Sequence, residues 1–255
     1  MTDLFLGLDV GASATKAVLL AGDTVRARTV RKSGADFAAA AQACLDEVTS
    51  AVRIQPAEIG HVVATGYGRR NVSFATRTVT EITCHARGCY ACFPQAMTII
   101  DIGGQDNKVI VLEDNGARRN FKMNRKCAAG TGAFLEEIAG YLDTSLAKLD
   151  GLARQATGDI ELGSFCTVFA KTELLRLIAA GTPLPEIAKA AYRSVVKRIL
   201  EMDPLTGQVV MTGGVVAHNR VIVDLVAEAL GREVLVPDHP QHTGALGAAL
   251  IGSEG

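Results

Sequence analysis

Residues 96–123, AMTIIDIGGQDNKVIVLEDNGARRNFKM, decide the fold because they repeat the pattern that opens the chain at residues 4–30, LFLGLDVGASATKAVLLAGDTVRARTV. Each stretch contains an apolar strand with an aspartate near its end, a glycine turn, a second apolar strand, a short turn and a third strand. Apolar runs separated by such short turns predict antiparallel strands in a meander. The internal repeat predicts two lobes of one topology.

The remaining hydrophobic pattern predicts helices and short strands around the two meanders. A dinucleotide-binding fold would need a helix directly after the first glycine turn, whereas residues 14–20 have the pattern of a strand. The elements predicted outside the meanders are helices at 37–52, 75–93, 132–142, 167–180, 184–202, 219–230 and 244–251, and strands at 60–65, 208–211 and 233–236. We expect one lobe to comprise residues 1–95, completed by the C-terminal helix 243–255, and the other lobe to comprise residues 96–242.

Composition narrows the class of protein. In a chain of 255 residues with 26 glycines and 5% aromatic residues, α/β layers of small side chains are favoured over a β-sandwich. The net charge of -1 without a basic block predicts no nucleic-acid partner. No apolar run approaches the roughly 20 residues that span a bilayer, so we expect a cytoplasmic protein with no membrane contact. Six cysteines are then free thiols or metal ligands rather than a disulfide framework.

Three glycine turns have the composition of phosphate-binding sites. LDVGAS at 8–13 and IDIGGQD at 100–106 combine glycine, which lets backbone N–H groups approach phosphate, with an aspartate that can hold magnesium through water. MTGGVVAHN at 211–219 places small residues where they could cradle an adenosine or its phosphates. An ordinary hairpin turn, or an ordinary strand-to-helix connection, explains any one of them alone.

Together and in this order, the three turns resemble the phosphate-1, phosphate-2 and adenosine motifs of the actin, sugar kinase and Hsp70 superfamily. The resemblance implies an α/β fold of two ribonuclease-H-like lobes, with ATP and magnesium in the cleft between them. The residues that match are Asp9, Gly11, Ala12, Ser13 and Lys16 in the first motif, Asp101, Gly103, Gly104 and Gln105 in the second, and Gly213 and Gly214 in the third. Asp9, Asp101 and Gln105 are the catalytic candidates, and Gln105 could orient the attacking water.

Two isolated cysteines stand before predicted helices, Cys127 in NRKCAAGTGAFLE and Cys166 in GSFCTVFAKTE. The N-terminus of a helix carries partial positive charge and free N–H groups, which favour a thiolate. Two thiolates cannot hold a cubane cluster that needs four, but a two-fold dimer presents the pair twice around its axis. The alternative is that both are small buried hydrophobes, the usual state of free cysteine.

These two segments, with ATGYGR at 64–69, DIGGQD at 101–106 and MTGGV at 211–215, resemble the activator ATPases of 2-hydroxyacyl-CoA dehydratases and the ATPase subunits of benzoyl-CoA reductase. The resemblance implies one 4Fe-4S cluster per dimer, held by Cys127 and Cys166 of each subunit. It also implies ATP-driven transfer of a low-potential electron to an iron-sulfur CoA-thioester dehydratase or reductase. The dimer would be a homodimer or a heterodimer with a paralogous subunit, supplied with electrons by ferredoxin or flavodoxin. A small-molecule kinase and a non-catalytic nucleotide switch remain alternatives.

The other cysteines and histidines suggest weaker sites. Cys84, Cys89 and Cys92 have the C-x4-C-x2-C spacing of a ferredoxin loop, but their stretch has a helical pattern, so we expect a helix rather than a second cluster. Cys44 lies on a helix face and is predicted to be in the core. The histidines predicted to lie at the surface or at a cleft edge are His85, His218, His239 and His242.

Overall fold

The computed structural model describes residues 3–124, 127–163 and 167–255, with the side chains of residues 167 and 168 outside that description. Cys166, one of the two predicted cluster ligands, therefore lies outside the described residues. The chain divides into two compact units. The first comprises Met1–Met97, Ile110–Asn120 and Pro237–Gly255, and the second comprises Thr98–Val109 and Phe121–Val236. The lobe limits drawn from the sequence stay a prediction.

The first sheet has the strand order β3-β2-β1-β4-β5. Its strands are β1 (Leu4–Val10), β2 (Ala14–Ala21), β3 (Thr24–Lys32), β4 (Ile59–Thr65) and β5 (Arg77–Thr78). The first three strands form the predicted antiparallel meander, and β4 and β5 add in parallel on the other side of β1.

The second sheet has the order β10-β9-β6-β7-β8. Its strands are β6 (Met97–Ile102), β7 (Asn107–Leu112), β8 (Arg118–Asn124), β9 (Val209–Thr212) and β10 (Val234–Leu235). As in the first sheet, three consecutive strands lie on one side, and two later strands pair in parallel on the other. The same order in both sheets confirms the repeat and the α/β fold of two ribonuclease-H-like lobes.

The helices surround these sheets. They are α1 (Phe37–Val52), α2 (Glu81–Cys92), α3 (Gly132–Tyr141), α4 (Leu146–Ala153), α5 (Thr167–Ala179), α6 (Leu184–Met202), α7 (Gly214–His218), α8 (Arg220–Leu230) and α9 (Thr243–Ser253). None of the helices in the described part of the chain combines the length and hydropathy that a membrane crossing requires.

One helix prediction needs correction, and two short helices were not predicted. The helix predicted at 75–93 begins only at Glu81, because the run of β-branched residues before it pairs as β5 and Thr80 caps the helix. The helix α4 was not predicted, since only Leu149 and Ala153 among its residues are buried. The helix predicted at 219–230 is confirmed as α8, whereas α7 before it was not predicted; Asn219, whose amide donates to the Val215 carbonyl at 2.8 Å, separates the two.

Side-chain alternation along β1 decides which helix each residue meets. Leu6 and Leu8 belong to the core cluster that contains α1, whereas Val18 and Leu20 on β2 pack against α9. Successive residues of a strand point to opposite faces. Gly7 faces α9, because a β-carbon there would lie 2.0 Å from the Ala245 carbonyl oxygen. Asp9, two residues further, shares this face, so the fold directs its carboxylate toward α9.

Candidate functional site

The first glycine turn connects β1 to β2 and carries the buried carboxylate of Asp9. Lys16 stands directly opposite Asp9 in the β1–β2 register, and its Nζ lies 3.0 Å from Asp9 Oδ2. The turn is closed by the Gly11 N–H, which donates to the Ala14 carbonyl at 3.1 Å. Ser33 Oγ donates to the Gly11 carbonyl at 2.6 Å, which pins the turn from the end of β3. The turn is therefore rigidly held around one ion pair.

The neighbouring parallel strand completes the first turn. Thr65, the last residue of β4, is paired with Asp9, and Gly66 follows with φ of 87°. A β-carbon at position 66 would lie 2.6 Å from Asp9 Oδ1, so only glycine leaves room for the carboxylate. Ala12 and Ser13 at the tip are exposed. Their N–H groups are placed where an anion could approach.

The second glycine turn, between β6 and β7, repeats this arrangement. Lys108 Nζ lies 3.2 Å from Asp101 Oδ2 and 2.8 Å from Asp106 Oδ1. Thr212 at the end of β9 donates its hydroxyl to Asp101 Oδ1 at 3.0 Å. The Gly103 N–H donates to the Asp106 carbonyl at 2.9 Å, the same closure as in the first turn. The result is a network of two carboxylates, one ammonium and one hydroxyl, in which only the Asp106 carboxylate reaches solvent.

The third turn lies against the end of β6. Gly213 has φ of 103°, and a β-carbon there would lie 2.3 Å from the Ile102 carbonyl oxygen. Gly214 is the first residue of α7. Gly104 is half-buried and Gln105 is exposed on the second turn, where a solvent-borne ligand can reach it. The structure thus brings the predicted second and third motifs together within the second unit.

Two functional side chains escaped the sequence analysis. Lys108 stands seven residues after Asp101, just as Lys16 stands seven residues after Asp9, and this shared spacing was the signal that could have identified it. Thr212 occupies the position in β9 that Thr65 occupies in β4, since each pairs with the strand-end aspartate. The duplication therefore extends from the strands to the charged groups.

Cys127 precedes α3, which begins at the predicted residue. The helix α3 begins at Gly132 with Thr131 as its N-cap, because a turn at Gly130, with φ of 86°, separates the cysteine from the helix. Cys127 is half-buried. The Asn124 amide holds its backbone by donating to the Cys127 carbonyl at 3.1 Å. The helix N-terminus therefore does not contact this thiol through its first turn.

The first N–H groups of α3 are bonded instead to the second glycine turn. Gly132 N–H donates to the Gly103 carbonyl at 3.0 Å. Ala133 N–H donates to the Gly104 carbonyl at 2.9 Å. Groups that a helix usually leaves unsatisfied at its start thus connect the predicted phosphate-2 turn to the segment that carries Cys127.

A family model described as the BadF/BadG/BcrA/BcrD ATPase family matches residues 6–252. The chain belongs to this ATPase family. It is 44% identical, over 98% of its length and 97% of the relative's, to the activator of lactoyl-CoA dehydratase from Anaerotignum propionicum. The solved activator of 2-hydroxyisocaproyl-CoA dehydratase from Clostridium difficile with bound ADPNP superposes with a TM-score of 0.92 at 38% identity, covering 98% of this chain and 94% of that one.

A more distant relative represents the second branch of the family. A benzoyl-CoA reductase subunit from Thauera aromatica is 29% identical over 97% of this chain and 92% of its own length. The family predicted from the motifs is confirmed. The comparisons also fit the duplicated Asp–Lys turns, which lie inside the matched residues.

The cysteines outside the predicted cluster segments lie on α1 and α2. Cys84, Cys89 and Cys92 lie on α2, as predicted, with the first two buried and the third exposed. Burial raises the pKa of the Cys84 thiol to about 12, against a small opposing effect of the Thr65 hydroxyl. Burial likewise raises the pKa of Cys44, a core residue as predicted, to about 11. No three His, Cys, Asp or Glu side chains in the described ranges form a metal-binding group.

The prediction that the histidines lie at the surface or at a cleft edge is wrong for His85. Its side chain is 5% exposed on α2, because this helix packs tightly on α9. His218 and His239 are exposed. His242 is partly buried, and burial, with smaller contributions from nearby cations, lowers its pKa to about 4.

Proposed function

We propose that this chain is an ATP-hydrolysing electron donor that carries a 4Fe-4S cluster and activates a 2-hydroxyacyl-CoA dehydratase. The observation that carries the proposal is the pair of backbone hydrogen bonds from the start of α3 to Gly103 and Gly104. These bonds join the phosphate-2 turn to the segment that carries Cys127, and an ATP-driven electron donor needs such a connection between its nucleotide and its cluster. Full-length similarity to dehydratase activators supports the same function.

The residues of both turns fit magnesium and ATP. Asp9 and Asp101 supply the oxygen ligands that magnesium prefers, directly or through water. Space beside the first carboxylate is kept open at Gly66, where a β-carbon would collide with Asp9 Oδ1 at 2.6 Å. The candidates that contact nucleotide are Gly11, Ala12, Ser13, Lys16, Gly103, Gly104, Gly213 and Gly214. Bound magnesium would neutralise phosphate charge, and Gln105 would orient the attacking water.

A cluster fits this chain only if ligands are shared. Cys127 is half-buried, and its backbone is fixed by Asn124, so its thiol can serve as one ligand. A cubane needs four thiolates, which Cys127 and Cys166 of two subunits would provide. The cluster would supply the low-potential electron. Gly103 and Gly104 would transmit a change at the phosphate turn to α3 and thereby to the cysteine segment.

The proposed partners follow from this chemistry. A homodimer, or a heterodimer with a paralogous subunit, would complete the cluster. Ferredoxin or flavodoxin would deliver one electron, and an iron-sulfur dehydratase acting on a CoA thioester would accept it. The 29% identity to a benzoyl-CoA reductase subunit supports a second candidate, an ATPase subunit of such a reductase. Reconstitution with each class of partner enzyme distinguishes the two.

Anaerobic purification followed by iron analysis and electron paramagnetic resonance tests the proposal. We expect about four iron atoms per dimer and a signal in the dithionite-reduced protein that changes when magnesium and ATP are added. Cys127→Ser should lose the iron. Cys92→Ser is the matched control, because Cys92 is exposed and lies on α2 in the first unit, and it should retain the iron.

Three results would contradict the electron-donor function. Iron-free, monomeric protein that still binds nucleotide would leave only the ATPase fold. ATP turnover stimulated by a sugar rather than by a reductase partner would favour the small-molecule kinase. Full activation of the partner enzyme by Cys127→Ser would favour the nucleotide switch without redox chemistry.

A further inference from the structure

The carboxylate of Asp9 is enclosed by two positions that lack side chains. Oδ1 faces Gly66, as described above, and Oδ2 faces Gly244 on α9, where a β-carbon would lie 3.2 Å away. The side chain of Asp9 is 6% exposed, and Lys16 pairs with Oδ2. Gly244 therefore leaves a niche beside the oxygen that Lys16 contacts.

His85 faces the same niche from α2. A β-carbon at position 244 would lie 3.0 Å from His85 Nε2, so this nitrogen and Asp9 Oδ2 border one small space. A single water molecule in the niche can bridge the two atoms. The niche is defined by Gly244, His85 and Asp9, and it belongs entirely to the first unit.

The other nitrogen of the ring is fixed by α9. His85 Nδ1 lies 3.3 Å from Thr243 Oγ1, and the same hydroxyl donates to the Pro240 carbonyl at 3.2 Å. A hydroxyl has one proton to donate, so Thr243 Oγ1 accepts from Nδ1. This assigns the proton to Nδ1 and leaves Nε2 facing the niche as an acceptor, which can be joined to the Asp9 carboxylate only through a water molecule that donates to both.

Backbone contacts hold the ring in place. A β-carbon at Gly247 of α9 would lie 1.8 Å from the Cys84 carbonyl oxygen, and one at Gly88 of α2 would lie 2.0 Å from the Thr243 carbonyl oxygen. The two helices thus touch backbone to backbone on both sides of His85. An imidazole between such helices has little freedom to move away from Asp9.

The second turn shows what role such a group serves. There, Thr212 donates to Asp101 Oδ1, so the equivalent aspartate has a fixed neutral partner in addition to its lysine. Thr65 occupies the corresponding position in the first turn, yet its buried hydroxyl makes no hydrogen bond to the carboxylate there and acts instead on the Cys84 thiol, whose pKa it lowers against the effect of burial. The first turn therefore has no counterpart of the bond from Thr212, and His85 approaches the Asp9 carboxylate from α2.

We propose that His85 is a positioning residue, which orients the Asp9 carboxylate across the Gly244 niche through one water molecule that donates to both Nε2 and Oδ2. The inference rests on the proposed function, because Asp9 needs a defined orientation only if it binds magnesium with ATP. Lys16 would then be shared between Asp9 and phosphate. A carboxylate rotates readily about its last torsion, so a second fixed partner preserves the orientation that the metal requires.

The test measures magnesium rather than activity alone. Binding of ATP is followed by calorimetry over a range of magnesium concentrations, together with the kcat and KM of ATP hydrolysis. His85→Leu should raise the magnesium concentration for half-saturation about 10–100-fold, the range found when partners of metal ligands are removed. His85→Gln, which retains a polar group near the place of Nε2, should stay within about threefold of the unchanged protein.

Matched variants separate positioning from packing. Cys89→Ala removes another fully buried side chain of α2 and should leave the magnesium requirement unchanged. Gly244→Ala fills the niche with His85 still present and should raise the requirement as His85→Leu does. The proposal is overturned if His85→Leu, or folded Gly244→Ala, has the magnesium dependence of Cys89→Ala, or if His85→Gln is as impaired as His85→Leu.

These outcomes are distinct from a failure of the proposed function. Protein without iron that binds magnesium and ATP would contradict the electron-donor function. Its magnesium dependence would still test the positioning role of His85. Iron-containing protein in which His85→Leu binds magnesium normally would refute only the positioning role.

Discussion

The two glycine turns have the same charged groups, yet they are attached to different parts of the molecule. Each has an aspartate, a lysine seven residues later and a threonine on the parallel strand. The first turn lies against α2 and α9, which are packed backbone to backbone and hold it still. The second turn is bonded to the start of α3, which follows Cys127. The difference teaches that two copies of one repeat can have different tasks. The first turn is fixed in place by α2 and α9, whereas the second is connected through α3 to the segment that carries Cys127.

Removing the lysines should have the largest effect and should separate the two turns. Lys108 is 4% exposed and contacts two carboxylates, whereas Lys16 is 15% exposed and contacts one. Lys108→Met should lower the free energy of unfolding by about 3–5 kcal/mol, because Asp101 loses its cation while buried. Lys16→Met should cost less, since water reaches the pair. Urea unfolding measures both, and equal losses would contradict the comparison. Lys108→Met combined with Asp101→Asn should recover part of the loss.

The two threonines should differ in the same direction. Thr212→Val removes a hydrogen bond to a buried carboxylate and should cost about 1.5–3 kcal/mol of unfolding free energy. Thr65→Val replaces a buried hydroxyl whose neighbour is the weakly hydrogen-bonding Cys84 thiol rather than a carboxylate, so it should cost less than Thr212→Val. Thermal unfolding of the two variants provides the measurement. A large loss for Thr65→Val would mean that its hydroxyl supports Asp9 after all and would weaken the case for His85.

A methyl group at the start of α3 should disturb the second turn alone. A β-carbon at Gly132 would lie 3.2 Å from Gly104 Cα and 3.1 Å from Val215 Cγ2. Gly132→Ala should therefore cost about 1–3 kcal/mol and weaken nucleotide binding. Gly140, on the same helix, has open space at this position, so Gly140→Ala should stabilise by about 0.4–1 kcal/mol. Unchanged nucleotide affinity in Gly132→Ala would contradict the proposed connection between α3 and the second glycine turn.

The surroundings of the first turn should respond to acid. His242 has a pKa of about 4 in the fold, lowered by burial and by His239, Arg28 and Lys16, against an ordinary value of 6.5. Between pH 6.5 and 4 the unfolded chain binds a proton that the folded chain does not, so stability falls as pH falls through this window. We expect a loss of about 1–2 kcal/mol after allowance for solvent screening.

The unfolding free energy of His242→Gln, measured by unfolding curves across this pH range, should depend less on pH than that of the unchanged protein. If the unfolding free energy of His242→Gln falls with pH as steeply as that of the unchanged protein, the acid response belongs to other groups.

Local signals predicted most of the fold. The short gaps between apolar runs predicted both meanders, and the periodicity of Phe37–Val52 predicted α1 with its observed bounds. The start of α3 at Gly132 was predicted as well, but the turn at Gly130 that separates it from Cys127 was not. Lys108 was readable from its spacing to Asp101 and was overlooked.

The surroundings of Asp9 could not be predicted from the sequence. The burial of His85 depends on glycines of α2 and α9 that meet only in the folded chain, and no local pattern indicates which glycines will touch. The backbone bonds that join α3 to the second turn are likewise independent of side-chain identity. The residues that hold the site together are thus the ones that the sequence reveals least.

The packing of α9 on β1 has a consequence for biosynthesis. The ribosome synthesises β1 and its aspartate well before α9, the helix that covers this face of the strand. Until α9 is made, the nascent first sheet presents bare apolar residues such as Val18 and Leu20. Chaperones that bind exposed strands would therefore encounter the chain in this interval, and premature termination before α9 would yield a product with its first turn unprotected.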